Sequence, residues 1–337
     1  MIRINDEPVK LFNELFIILA LNCVWVTLTT IVHGVESLEG ILSSYRLLLS
    51  VVLAYLCHKH LTLWQIAYAI FIAAVINSVV VVFQLMDALS EREFLPIWLK
   101  YGTFYGIDDV EVWRKSGLLP SLQTSSLLAI VATLFGAWRR LFKAMVFAFP
   151  FLAVAMLVGA RTFVPVSLFA VAYSFVRLPI VTCAWLGILS IYLTQVTGFW
   201  DFFELRFGGL FDVFVHFNLA SDYSAKNTFD SYREFSLTEF LVGNGQPRYA
   251  DGGGVDPFYT RWLYQSGFPS LLLVSAALVN ICRFCGRYTT LAYWVLGVAM
   301  YHNLKGELFT SLGTFDVFAL IAFVYLREQA ERADAIT

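Results

Sequence analysis

The chain has 337 residues, of which 59% are hydrophobic and 14% charged, and its mean hydropathy is +0.70. A soluble domain of this size needs far more polar surface, so that class is excluded. The formal net charge of −2 says little about partners, because charge in this chain is sorted by side rather than summed.

Apolar runs near twenty residues recur along the whole length, each long enough to cross a bilayer as a helix. A membrane β-barrel would show weak ten-residue alternation instead. The pattern predicts an all-α polytopic membrane protein, read as a single membrane domain over 1–337. Ten spans are expected, at about 11–32, 38–57, 61–86, 119–137, 144–159, 162–176, 178–197, 257–281, 289–303 and 308–326. The first is too long for the apolar core of a signal peptide and reads as a permanent anchor. The fifth, sixth and ninth are short for a crossing.

Arg3, Lys10, Lys59, Arg139, Arg140, Lys143, Arg177, Arg283, Arg287, Arg327 and Arg332 fall on one set of short connections. The opposite short loops hold Arg161 and Lys305. The positive-inside rule makes the first set cytoplasmic, with both termini inside. An interfacial segment at 87–118 and a large loop at 198–256 are then outside. Aromatics at 94–105 and 199–217 suit either an interfacial belt or stacking on sugars. No internal repeat is visible by eye.

Of five cysteines, Cys282 and Cys285 form a CxxC in what reads as a short cytosolic loop. No second pair stands at zinc spacing, so both read as ordinary helix-end residues. No His/Asp/Glu cluster with metal-ligand spacing faces outside. The expectation is a protein without metal or cofactor.

The outer-side arginines carry the functional signal. Arg114, Arg161, Arg206, Arg233, Arg248 and Arg261 lie on or beside that face, with Lys305. A guanidinium stays charged and binds phosphate oxygens in pairs, so several together suit a diphosphate; headgroup contact and loop ion pairs are the plain alternative. Arg161, in "LVGARTFVPVSLF", sits between two apolar runs with almost no loop, where an unpaired charge is costly. Arg46, in "ILSSYRLLLSVVLAYL", is deeper, and reads equally as half of a structural ion pair, with Glu14 or an acid of another chain, or as a functional residue. "GNGQPRYADGGG" can bring backbone N–H groups close to a ligand. "VDPFYTRW" reads as a helix start, with Asp256 at the N-cap and Pro257 at N1. Asp256 is also placed to act as a general base beside an anion held there.

Four stretches together resemble the O-antigen polymerase (Wzy-type) and O-antigen ligase superfamily. They are "WRKSGLLPSLQTSSLLA", "GARTFVPVSLFAV", "SYREFSLTEFLVGNG" and "DPFYTRWLYQSGFPSLLLV", covering most of 110 to 280. The resemblance implies a GT-C-like architecture in the bacterial inner membrane, and metal-independent glycosyl transfer at its periplasmic face. The implied substrate is an oligosaccharide linked to undecaprenyl diphosphate. Membrane lipid and a chain-length regulator protein are the implied partners, and nucleic acid is not among them. It carries phosphate binding onto Arg161 and Arg233 and, with less support, onto Arg114 and Arg248. Arg261, Tyr259 and Lys305 are the further substrate-binding candidates. A histidine opens the last motif in the ligase branch, and Asp256 stands there in this chain. That departure points to a polymerase. Transfer to a lipid A-core acceptor, and transport of a lipid-linked glycan, are the alternatives.

Overall fold

A computed structural model of the chain describes residues 7–34, 38–89, 118, 122–159, 163–195, 199–200, 204, 236–245, 258–290, 292–293, 297 and 314–335. All ordered secondary structure among them is helical. The helices are α1 (Glu7–Val32), α2 (Glu39–Cys57), α3 (Leu63–Leu89), α4 (Leu122–Trp138), α5 (Phe142–Val158), α6 (Val164–Arg177), α7 (Pro179–Thr194), α8 (Leu237–Val242), α9 (Phe258–Gly286) and α10 (Thr314–Asp334). Four helices are long and apolar enough to cross a membrane, over Glu7–Val32, Gly40–Cys57, Leu63–Asp87 and Trp262–Gly286. The protein is an all-α membrane protein. Most of the ninth expected span lies outside the described residues.

Helix α1 shows why. Leu11, Leu15, Leu19, Asn22, Val26 and Thr29 follow at three- and four-residue steps and are buried. The opposite face is equally apolar, with Ile17, Leu21, Val24, Leu28 and Ile31 all exposed. A helix in water would carry polar residues there; apolar character all round is the mark of a helix that meets lipid.

The chain divides into two compact units, Met1–Ile66 with Asn227–Thr337, and Ala67–Lys226. In the first, α1 packs against α2 and α9, and α2 also packs against α10. Side-chain pairs fix the directions. Phe12 stacks on Tyr55 at 4.2 Å, and Asn22 meets Ser44, so α1 and α2 are antiparallel. Glu7 binds Arg287 and Glu14 binds Arg283, so α1 and α9 are antiparallel too. At that end Arg327 of α10 donates to the carbonyls of His58 (2.6 Å) and Leu61 (2.9 Å), capping the carbonyls left open just past the end of α2. Leu63 N–H donates to Glu328 beside it. Basic residues from two stretches of sequence, Arg283 with Arg287 and Arg327, thus gather at one end of the unit.

His58 sits in the same place, buried against Tyr55 and Phe323. Burial holds its imidazole below the usual histidine range, with the Arg327 charge acting in the same direction and contact with the Tyr55 carbonyl opposing.

In the second unit, α4 and α5 are joined by a tight turn. Leu141 N–H reaches Gly136 O (2.9 Å) and Arg140 N–H reaches Ala137 O (3.1 Å), with Arg140 at φ 51. This is a Schellman closure with arginine in the left-handed position that glycine usually fills. A Cβ on Gly136 would lie 2.4 Å from Met145 Sδ, so the glycine sets how closely α4 and α5 approach. Helices α6 and α7 are separated by Leu178 alone, at φ −138 and ψ 61. Pro179 forces this, because a residue before proline is driven out of the α region. Ser174 and Thr182 then share a hydrogen bond across the corner at 3.1 Å. Helices α4 to α7 have 17, 17, 14 and 16 residues, so the short elements include the fourth and seventh as well as the expected fifth and sixth.

The CxxC is not in a loop. Helix α9 continues to Gly286, and Cys282 and Cys285 are buried one turn apart on it. Ile281, Cys282, Phe284 and Cys285 are buried, so apolar packing continues through these turns, and Arg283 and Arg287 on their other side pair with Glu14 and Glu7 of α1.

Candidate functional site at the break in helix α9

Helix α9 is interrupted near its start. Gly267 has φ 72 and ψ 179, and Pro269 follows. Proline has no N–H, so Gln265 O loses its helical donor outright, and the turn at Gly267 removes the neighbouring bonds. Three consecutive carbonyls need other partners, inside apolar surroundings where an unmet polar group is expensive.

All three find donors in other parts of the chain. Asn244 N–H donates to Tyr264 O at 2.8 Å, and Gly245 N–H to Gln265 O at 3.0 Å. Trp25 Nε1 of α1 donates to Ser266 O at 2.7 Å. The first two donors belong to the glycine turn that ends α8. That six-residue helix starts with a complete capping box: Glu239 N–H donates to Ser236 Oγ (3.2 Å), and Ser236 N–H donates to the Glu239 carboxylate (3.0 Å). It stops at Gly243, φ 75.

The two glycines allow the backbones to touch. A Cβ on Gly267 would lie 2.5 Å from Leu241 O, and one on Gly243 would lie 2.6 Å from Ser266 N. Both positions also carry the positive φ that side chains resist. Phe240 stacks on Phe268 at 5.2 Å beside them. From α2, Gly40 sits where a Cβ would be 2.0 Å from Gln265 Nε2. One turn below, Ser270 Oγ donates to Asn22 Oδ1 (2.6 Å), and Asn22 Nδ2 donates to Ser44 Oγ (3.3 Å). Asn22, Ser44 and Ser270 are each fully buried.

The second unit has a comparable group of its own. Asn77 Nδ2 donates to Ser125 Oγ (2.9 Å), and Leu118 N–H donates to Asn77 Oδ1 (2.8 Å). Ser78, Gln84 and Asp87 on α3, and Thr124 and Ser126 on α4, are buried as well. Gly159 lies so close to Ser126 that a Cβ would be 1.8 Å from its Oγ.

The expected site residues are mostly elsewhere. Arg161, Arg233, Asp256, Arg114, Arg248 and Lys305 lie outside the described residues, as does Arg206. Tyr259 and Arg261 fall in the first turn of α9, their side chains outside the described set. Gly159 and the fully buried Phe163 are described on either side of the Arg161 segment. Two expectations are corrected. Glu14 does not pair with Arg46; it pairs with Arg283 at 2.7 Å, because antiparallel packing puts it at the other end of α1. Two amides of the glycine stretch, those of Asn244 and Gly245, are spent on the broken helix rather than offered to a ligand.

Sequence reasoning passed over the neutral polar residues. Asn22, Asn77 and Gln84 each stand inside an apolar span, and that was their signal: an uncharged amide there must find a partner. Asp87 was taken as the first residue of an outer segment, whereas α3 runs to Leu89 and Asp87 is 5% exposed. The chain matches no family model, no curated protein and no solved structure.

Proposed function

We propose that the protein is a polymerase of bacterial surface-polysaccharide repeat units, working in the inner membrane. It has ten spans, both termini in the cytoplasm and its reacting face toward the periplasm. The donor is a growing glycan on undecaprenyl diphosphate, and the acceptor is a sugar hydroxyl on a lipid-linked repeat unit. Arg161 and Arg233 neutralise the departing diphosphate, a stabilisation of developing charge that needs no metal. Arg114, Arg248, Arg261, Tyr259 and Lys305 position the substrate. Asp256 takes the acceptor proton, unless positioning alone suffices.

One observation carries this reading. Two stretches on which the family resemblance rests, ending in "TEFLVGNG" and containing "YQSGFP", are parts of one docked unit rather than independent segments. They meet at the end of the first unit opposite the Glu7, Glu14, Arg283 and Arg287 cluster. Arg233 precedes the capping box by three residues, and Arg248 and Asp256 lie in the connection between the docked pieces. A rigid junction so close in sequence supports a site on that side.

The break in α9 also favours a second reading. Interrupted helices with buried polar neighbours occur in transporters, where unwound carbonyls hold ions. Here the Tyr264, Gln265 and Ser266 carbonyls are already engaged by the protein's own donors, so the break serves docking.

The test is a glycan ladder from a deletion strain carrying variants. Arg161→Lys and Arg233→Lys each keep the charge and lose the paired planar donors. Each is expected to lower polymerisation roughly a hundredfold, about 3 kcal/mol in the barrier, with membrane insertion unchanged. The deletion strain should cap its surface with single repeat units. Unglycosylated core would instead support a ligase or a transporter, and full polymer from both Arg161→Ala and Arg233→Ala would remove these arginines from the mechanism.

A further inference from the structure

Arg46 is an anomaly in a membrane helix. It belongs to α2, whose residues Gly40–Cys57 are apolar enough to span. It is exposed, and among the described residues its guanidinium has no hydrogen-bond, ion-pair or ring partner. The acids on the neighbouring helices are committed elsewhere: Glu14 of α1 binds Arg283, and Asp316 of α10 receives the Ser50 hydroxyl on the buried side of α2. An unpaired charge within an apolar span is costly, most at the centre of the bilayer and less toward an interface.

Its position narrows what can meet it. Arg46 lies six residues from Gly40, about 9 Å along the axis. Side chains on a helix lean toward its N-terminus, so the guanidinium is directed toward the end where Gly40 meets Gln265 and the α9 break. In the other direction the exposed face continues as Leu49, Leu53 and Leu56, a single file of leucines. A cation above an apolar ridge complements an anion above a hydrocarbon chain. A second copy of the chain is a poor occupant, because the acids described within the candidate spans are already paired or buried: Glu14 with Arg283, Glu7 with Arg287, and Asp87 in the interior.

We propose that Arg46 and the leucine ridge beneath it form a membrane-facing docking site for a polyprenyl diphosphate, the carrier of the glycan. The assignment to the carrier rests on the glycan-transfer reading above. The ridge is one helix wide and suits one isoprenoid chain, whereas a phospholipid brings two acyl chains side by side. The guanidinium binds diphosphate oxygens in pairs. Its location on α2, beside the α9 junction, makes it a lateral point of arrival and not a part of the reacting centre.

The test is lipid retention on the purified full chain by native mass spectrometry, with undecaprenyl diphosphate and phosphatidylglycerol as separate probes. Wild type should retain undecaprenyl diphosphate in preference to phosphatidylglycerol. Arg46→Gln should weaken that retention on the order of tenfold, the loss of one charge-assisted contact. Arg46→Lys should fall between the two, keeping charge without the paired donors. Unchanged melting temperatures would show that neither variant is misfolded. Equal retention of both lipids by wild type would overturn the carrier assignment, and equal retention by wild type and Arg46→Gln would overturn the site. Full-length polymer from a strain lacking the protein would overturn the glycan-transfer reading alone, since the retention measurement needs no activity.

Discussion

The two ends of the first unit solve one problem in different ways. At one end α1, α2, α9 and α10 are tied by charge: Glu7 with Arg287, Glu14 with Arg283, and Arg327 on the carbonyls of His58 and Leu61. At the other end α1, α2 and α9 are joined by neutral hydrogen bonds, and the turn that ends α8 meets α9 through two glycines in backbone contact. The difference follows from solvent. Arg283 and Glu14 are 54% and 43% exposed, so water shares the cost of holding their charges, and the pair is worth only a few tenths to about 1 kcal/mol. Asn22, Ser44 and Ser270 are sealed from water, where a charge would be far more costly than an amide or a hydroxyl. The ionic end is thus tunable by pH and salt, and the neutral end is set by shape.

The sharpest way to break this contrast is Gly267→Ala. The new Cβ would meet Leu241 O at 2.5 Å and would occupy a left-handed φ. The φ alone costs about 1–2 kcal/mol, and undocking α8 adds to it. The expected result is a lower melting temperature together with rapid proteolysis within 236–245, while salt sensitivity at the ionic end is unchanged. Protection of that segment equal to wild type would mean that the junction tolerates a side chain.

Asn22→Ala should come next. It leaves the Ser270 and Ser44 hydroxyls without their shared partner, at about 1–2 kcal/mol. The loss should be the same in low and high salt, as measured by thermal unfolding in detergent. A loss that shrinks with salt would contradict the assignment of this end to neutral bonds.

The smallest effect belongs to the ionic end. His58 titrates lower in the folded protein than in the unfolded chain, so the unfolded state takes up protons first as pH falls. The stability it contributes is complete above about pH 6.5, the unfolded value, and is lost as pH falls through the folded value. Wild type should therefore lose stability relative to His58→Gln between pH 7 and 5. Parallel curves for the two proteins would show that His58 is not held neutral by its surroundings.

The amino-acid sequence alone determined the class and most of the helices, because lipid leaves a span no other way to satisfy its backbone than to hydrogen-bond within itself. It also separated the basic connections from the rest, since charge is excluded from hydrocarbon. Boundaries were legible at Leu178–Pro179, where proline marks them, and at the ends of α2, where charged or polar residues flank the apolar run. Tertiary structure decided the remainder. Whether Glu14 meets Arg46 or Arg283 depends on which helix lies alongside α1, and hydropathy carries no such information. "VGNG" and "YQSGFP" are about twenty residues apart. The sequence presented one as a ligand loop and the other as part of a span. Only packing revealed that the amides of the first complete the carbonyls of the second, because a broken helix must find its donors wherever the fold brings them.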